Sequence, residues 1–265
     1  MVRILRLDGG SELAGFWVIG NWKMNGRLQT GKELASQLLA VAAQCADRVR
    51  VAVAPAALHL HAVGSVLDNS AIQLAAQMAS AHEDGAYTGQ CSAAMLADLG
   101  VRMVLVGHSE CRTELAQDDA VLRAQMQRIH EQGMTVVLCL GESLASYEAG
   151  QTLAVIERQM TVLHDWVDWS RLMIAYEPVW SIGTGKVASP EHIAAVHDHI
   201  HQRLRELGDA EAAVVVLYGG SVKPALMPQL LALSGVNGVL VGGASLDAEQ
   251  FGQICMVVAE QALTD

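Results

Sequence analysis

The sequence predicts an α/β fold, a single (β/α)8 barrel of parallel strands, from three observations. Eight short apolar runs recur along the 265 residues, near Trp17 to Trp22, Val49 to Ala54, Ile72 to Ala76, Met103 to Gly107, Thr135 to Leu140, Leu172 to Tyr176, Val214 to Tyr218 and Val239 to Val241. They are apolar nearly throughout, as strands packed on both faces of a parallel sheet require. Segments of helical period fill the intervals, and no linker, charge block or low-complexity tract divides the chain. A doubly wound sheet would need a reason to stop at eight equal units.

Taken in order, residues 1–16 carry a Gly9-Gly10 break and no clear period, so they read as an extension of uncertain order ahead of a barrel domain at 17–265. Leu34, Leu38, Val41 and Cys45 make one helical stripe, and Ile193, Val196, Ile200, Leu204 and Leu207 make another. Gly100, Gly133 and Gly208 each follow a helical segment just before the next strand, where C-terminal caps belong. Ser189-Pro190-Glu191 opens a long helix with a capping hydroxyl and a proline at its first turn.

Composition narrows the function. About half the residues, 52%, are apolar, and no run is long enough to cross a bilayer or resembles a signal peptide. Five scattered cysteines without a C-x-x-C pair suggest neither a disulfide framework nor a zinc site, so a soluble protein of the reducing cytoplasm is expected. A formal charge of −11 argues against a general nucleic-acid surface, and without a bilayer-length run no membrane partner is expected. Any anionic substrate must then be drawn in by locally placed cations and backbone dipoles.

In barrels of this kind chemistry gathers at the C-terminal ends of the strands, so the end of each run is informative. The first ends in Asn21-Trp22-Lys23-Met24-Asn25, where strand alternation would point Asn21 and Lys23 to the same side. The fourth ends in Gly107-His108-Ser109-Glu110, with a helix start at Ser109 whose dipole disfavours a charged imidazole. The sixth ends in Glu177, which Pro178 holds out of helical geometry, followed by the lid-like Val179-Trp180-Ser181-Ile182-Gly183-Thr184-Gly185. Gly219-Gly220-Ser221 and Gly242-Gly243-Ala244-Ser245 end the last two, the position of a phosphate cradle built from backbone N–H groups.

Each feature alone has a bland counterpart: a solvated lysine, a buried structural histidine, an acidic loop residue, a tight glycine turn. Together they suit proton abstraction beside a carbonyl of a small phosphorylated substrate. Glu177 would take the proton and His108 and Lys23 would stabilise the enediolate oxygens, while the lid excludes water. No metal cluster or dinucleotide fingerprint occurs, so no cofactor is called for.

With these residues in hand, the chain resembles the triosephosphate isomerase family from about Trp17 to the C-terminal helix. The resemblance is carried by Asn21 to Asn25, Gly107 to Glu110, Ala175 to Trp180 with Ile182 to Gly185, Tyr218 to Ser221 and Val241 to Ser245, all in the family's order. It implies that Asn21 and Lys23 bind substrate, that His108 is the electrophile and Glu177 the base, and that Glu110 supports Lys23. It implies that Gly183, Ser221, Gly242 and Gly243 bind the phosphate. The reaction implied is interconversion of dihydroxyacetone phosphate and glyceraldehyde 3-phosphate, and the pairing of base with neutral histidine is a known illustration of pKa tuning in this enzyme.

A homodimer is also implied, through the loop from Met78 to Gln90 with Thr88 reaching the neighbouring subunit. Three positions depart from the family's habit: Met78 for asparagine, Gln90 for glutamate and Cys111 for arginine, the last two being a usual ion pair across the interface. Ser181 replaces a frequent alanine at the lid tip, with at most a small effect on the lid expected. A four-carbon sugar phosphate and a non-catalytic phosphate-binding barrel are alternatives, the second disfavoured because Lys23, His108 and Glu177 are all present.

Other groups carry less. His197 and His201, four apart on one helix with His192 and His199 nearby, could pair on a metal, but the helix stripe places them on a solvated face. Cys139 reads as a small filler beside the site, and Met126, Met134, Met160 and Met173 as core.

Overall fold

The computed structural model describes residues 15–45, 48–184, 186–210 and 214–261, so most of the N-terminal extension and Gly185 of the lid lie outside the described residues. Eight parallel strands close on themselves: β1 (Phe16–Asn21), β2 (Val49–Ala54), β3 (Ile72–Ala76), β4 (Met103–Val106), β5 (Thr135–Leu140), β6 (Leu172–Tyr176), β7 (Val215–Tyr218) and β8 (Gly238–Val241). Closure comes from β8 beside β1, in the register Trp17 to Gly238 and Ile19 to Leu240. Each strand lies within about one residue of its apolar run, because burial on both faces leaves little room for polar residues; Arg50 in β2 and Gln73 in β3 are half-buried exceptions near the strand starts.

Strand parity divides the apolar residues into two cores. Inside the barrel pack Trp17, Ile19, Met103, Leu105, Met173, Leu217 and Leu240, with alanines at 52, 54, 75 and 175 making room for the larger rings. Between barrel and helices pack the opposite residues, among them Phe16, Val18, Val104, Val106, Ile174 and Tyr176. Each such side chain taken fully out of water contributes about 1.5–3 kcal/mol. Parity also aims the mouth: after Trp17 and Ile19 the next inward position is Asn21, after Met173 and Ala175 it is Glu177, and after Leu240 it is Gly242.

The helices follow the predicted stripes. Leu38 and Cys45 of the helix Leu28–Cys45 are buried, and Leu34 and Val41 pack against the same core. The helix Pro190–Leu207 buries Ile193, Val196, Ile200 and Leu204, and His192 N–H donates to Ser189 Oγ (3.2 Å) at its start. Gly100, Gly133 and Gly208 have φ of +79°, +69° and +125°, the backbone their capping positions require. The four methionines and Cys139 are all buried.

One expectation fails here. His197 is 1% exposed and not on a solvated face; it and His201 both bond Gly235 O at 2.9 Å, His197 through Nδ1 and His201 through Nε2. The loop before β8 folds over this side of the helix, and burial pushes His197 down to about 4, so the ring is neutral. Among the described residues no group of three His, Cys, Asp or Glu is placed to hold a metal ion. No described helix is long and apolar enough to cross a membrane.

Candidate active site

A pocket of about 440 Å³ opens at the C-terminal mouth of the barrel. Asn21, Lys23, His108, Glu177, Gly183, Ser221, Gly242 and Gly243 all line it, so residues spread over 223 positions of sequence converge on one cavity. Glu110 does not line it. Its carboxylate reaches Lys23 from the rim, with Nζ to Oε1 at 2.5 Å.

Asn21 and Lys23 meet by a route other than alternation. The strand ends at Asn21, and Lys23 turns back with φ +52°, a left-handed conformation rare outside glycine. Asn21 Oδ1 accepts the Lys23 backbone N–H (3.0 Å), which holds that turn. Gln77 Nε2, from the loop after β3, donates to both Lys23 O and Ala54 O at 2.8 Å.

His108 likewise departs from strand parity. It follows Val104 and Val106, which face the helices, but Gly107 at φ +70° turns the chain so that His108 enters the mouth. A side chain at Gly107 would also strike Arg112, whose Nη2 lies 2.8 Å from where a Cβ would stand. Arg112 uses that space, donating from Nε to Gly107 O (2.7 Å) and from Nη2 to Cys139 O (3.2 Å), and so ties the end of β4 to the end of β5.

At the centre, His108 Nε2 lies 3.2 Å from Glu177 Oε1, and the two residues are 4% and 3% exposed. His108 Nδ1 accepts the Glu110 backbone N–H (3.2 Å), which assigns the proton of the neutral ring to Nε2, facing the carboxylate. The helix beginning at Ser109 therefore presents its N–H to the imidazole, as the sequence suggests. The net shift is nevertheless upward, and the expectation of a simply depressed histidine is corrected. Burial pushes the imidazole pKa down, but the charge and hydrogen bond of Glu177 together more than offset it.

Glu177 sits in a slot shaped by two glycines. A Cβ at Gly141 would fall 1.8 Å from the Glu177 carbonyl oxygen, and one at Gly219 would fall 2.7 Å from Glu177 Cγ. Gly219, which reads in sequence as part of the phosphate cradle, thus makes room for the carboxylate arm. Among the described residues Glu177 Oε2 is buried with no hydrogen-bond partner, an unused acceptor on a residue that lines the pocket. By contrast, a Cβ at Gly183 or Gly243 would meet nothing within 4 Å, and at Gly242 only Lys23 Cε at 3.7 Å. Those backbones face open pocket.

The lid begins as a short turn, Val179–Ser181, anchored from beneath by the fully buried Glu142. Trp180 Nε1 donates to Glu142 Oε1 (2.8 Å), Tyr176 OH donates to both Glu142 oxygens (3.2 Å each), and Tyr147 stacks on Trp180 at 4.3 Å. Burial and the Glu142 charge push the Tyr176 pKa up, so it stays a donor. Ser181 is not at an exposed tip; it is fully buried, and its Oγ and Tyr218 OH crowd the place a Gly220 Cβ would need. Ile182 and Gly183 continue from this anchor into the pocket lining. Residues not anticipated from sequence as pocket lining include Asn25, Leu240 and Gln250. Asn25 alone carried a signal, as an amide following a strand end.

A barrel mouth that joins a buried carboxylate, an imidazole, an ammonium and three open glycine backbones has the groups that an isomerase of small phosphorylated carbonyl compounds requires. The family profile described as Triosephosphate isomerase matches residues 16–258. The chain is 45% identical to the triosephosphate isomerase of Paracidovorax citrulli over 91% of this chain and 98% of that protein. It is 47% identical to that of Bordetella pertussis, over 88% and 94%, and 44% identical to that of Delftia acidovorans, over 88% and 95%. The chain belongs to the triosephosphate isomerase family, and its reaction is the interconversion of dihydroxyacetone phosphate and glyceraldehyde 3-phosphate, a step of glycolysis and gluconeogenesis.

Proposed function

We propose that Glu177 is the base that moves the proton between the two carbons of the triose, with His108 and Lys23 as the groups that stabilise its oxygens. The observation that carries this reading is the 3.2 Å approach of His108 Nε2 to Glu177 Oε1 inside the pocket that Lys23 also lines. Substrate entering there replaces that contact with two others. Glu177 takes a proton from the carbon beside the carbonyl, and the developing enediolate oxygen accepts from His108 Nε2–H and from Lys23 Nζ. His108 Nε2 passes its proton to the former carbonyl oxygen and takes the proton of the neighbouring hydroxyl, and Glu177 returns the first proton to the adjacent carbon, so ketone and aldehyde exchange with no net gain or loss of atoms. Burial of both catalytic groups strengthens these interactions, because no water competes for them.

Asn21 binds substrate and holds the Lys23 turn, while Glu110 keeps the ammonium at the rim. Gly183, Ser221, Gly242 and Gly243 hold the phosphate through backbone N–H groups, and Lys23 supplies local positive charge within a protein of net charge −11. Closure of the lid over the enediolate keeps water from the intermediate. The test is isomerisation in heavy water. Glu177→Gln should lose both turnover and deuterium incorporation by about 100-fold or more while inorganic phosphate still binds; full exchange in that variant would overturn the role.

The reading extends to a cytoplasmic homodimer. Met78, Tyr87 and Thr88 are exposed on the loop after β3, and Gln77 at its base is bonded to the Lys23 turn, so a partner seated on this loop would stiffen the ammonium. Gln90 is occupied within its own loop by Ser80 Oγ (2.6 Å), and Cys111 brings no charge, so the contact rests on packing more than on an ion pair. Sedimentation at micromolar concentration should give a dimer; monomer alone would refute it. All five cysteines are free, in keeping with a reducing compartment.

A further inference from the structure

Gln159 lies near the end of the helix Thr152–Met160, outside the barrel and away from the pocket lining, and it is 9% exposed. Its carboxamide makes two hydrogen bonds to a single residue of the loop after β5. Gly141 N–H donates to Gln159 Oε1 (2.8 Å), and Gln159 Nε2 donates to Gly141 O (3.0 Å). A planar amide paired to both the donor and the acceptor of one residue fixes that residue's orientation as well as its distance.

Gly141 is where the backbone of Glu177 comes nearest. The slot left by its missing Cβ is filled by the Glu177 carbonyl oxygen. On either side, Glu177 N–H donates to Leu140 O (2.7 Å) and Val179 N–H donates to Glu142 O (3.1 Å). Residues 140–142 and 177–179 therefore lie against each other with Gly141 in the middle. Whatever holds Gly141 holds the Cα from which the Glu177 carboxylate hangs. Glu142, one residue on, carries Trp180 and Tyr176, so the lid's anchor springs from the same clamped segment. A small cavity of about 10 Å³, room for about one water molecule, lies between Gln159, Arg112, Gly141 and Glu177, so the four residues line one space behind the base.

We propose that Gln159 is a positioning residue for the reaction, setting the Glu177 carboxylate and the lid anchor through its two-point grip on Gly141. The proposal rests on the reading of Glu177 as the base. Its partner in the role is Arg112, which ties the β4 end to the β5 end. Gln159 does not line the main pocket and none of the cradle residues is bonded to it, so its removal alters the placement of the base and leaves the phosphate cradle as it was.

Gln159→Met keeps length and volume and removes both bonds; Gln159→Glu keeps the acceptor for Gly141 N–H and removes the donor. Gln159→Met is expected to lower kcat about 10- to 100-fold, since a displacement of 1 Å at the reacting centre can cost about 100-fold. KM for glyceraldehyde 3-phosphate and the inhibition constant of inorganic phosphate should stay within about twofold, and Gln159→Glu should fall between the two enzymes. Ile156→Ala, a core truncation on the same helix, should lower Tm without changing kcat. A Gln159→Met enzyme that loses Tm but keeps kcat would overturn the proposal, as would equal losses in kcat and phosphate affinity. If Gln159→Met does not fold, an unchanged kcat in Gln159→Glu overturns it. Glu177→Gln separates the two claims: retained turnover there sinks the base itself, whereas an inactive Glu177→Gln beside a fully active Gln159→Met sinks only the grip.

Discussion

The two walls of the pocket are built differently. On one side stand Glu177 and His108, each under 5% exposed, held by backbone contacts at Gly141 and Gly219 and by the Gln159 and Arg112 side chains behind them. On the other stands Lys23, on a left-handed turn at the rim, its side chain 23% exposed and paired to a Glu110 side chain that is 54% exposed. Position matters most for the group that exchanges a proton with carbon, because proton transfer falls steeply with misalignment, whereas an ammonium acts over a longer range. The proposed base is therefore set in packed backbone. The cation is steered by an ion pair and a loop that a second subunit would cover.

That contrast can be broken most sharply from the buried side. Gly141→Ala puts a methyl where the Glu177 carbonyl oxygen now sits, so Glu177, the proposed base, must move; kcat should fall about 100-fold, and overpacking should cost about 1–3 kcal/mol of stability by thermal or urea unfolding. An alanine variant with normal kcat would show that this wall is softer than its packing implies.

A second test reads the charge coupling directly. His108 is raised above its ordinary pKa by Glu177 against the effect of burial, so its protonation stabilises the folded chain at pH below the ordinary imidazole value. That contribution is lost as pH rises through the folded value. Replacing Glu177 by Gln leaves burial to act with little opposition, and the His108 pKa should drop below its wild-type value in an NMR titration of the ring. The low-pH stabilisation would disappear with it. An unchanged titration would mean that the carboxylate does not govern the ring.

The smallest effect is expected on the exposed side. Glu110→Gln removes a partly exposed ion pair of a kind that typically contributes about 0–1 kcal/mol, so stability should hardly move. KM should rise no more than about fivefold, an effect that shrinks as salt is added. A loss of kcat as large as that of Gly141→Ala would erase the distinction between the walls.

Much of this was legible in the residues. A parallel barrel strand must be apolar on both faces, so its run of side chains marks it out, and the polar residue that ends it stands at the mouth by parity, as with Asn21 and Glu177. Legibility stopped where a side chain bonds backbone far away in sequence. Gln159 looks like any polar residue of a helix, and nothing local says that it reaches Gly141, 18 positions back. The His197 environment was hidden for the same reason, because the loop carrying Gly235 covers a helix face that its own sequence marks as polar. The left-handed turn at Lys23 had no glycine to announce it, and the upward pull of Glu177 on His108 depends on a contact across 69 residues.

The most direct measurement of the central claim is the kcat of Glu177→Asp with glyceraldehyde 3-phosphate, taken with the inhibition constant of inorganic phosphate in the same enzyme. Shortening the arm by one methylene withdraws the carboxylate from carbon and leaves the cradle alone, so kcat should fall about 100-fold or more while phosphate inhibits as before. Unchanged turnover with weakened phosphate binding would contradict the account, placing Glu177 in the anion site and the base elsewhere.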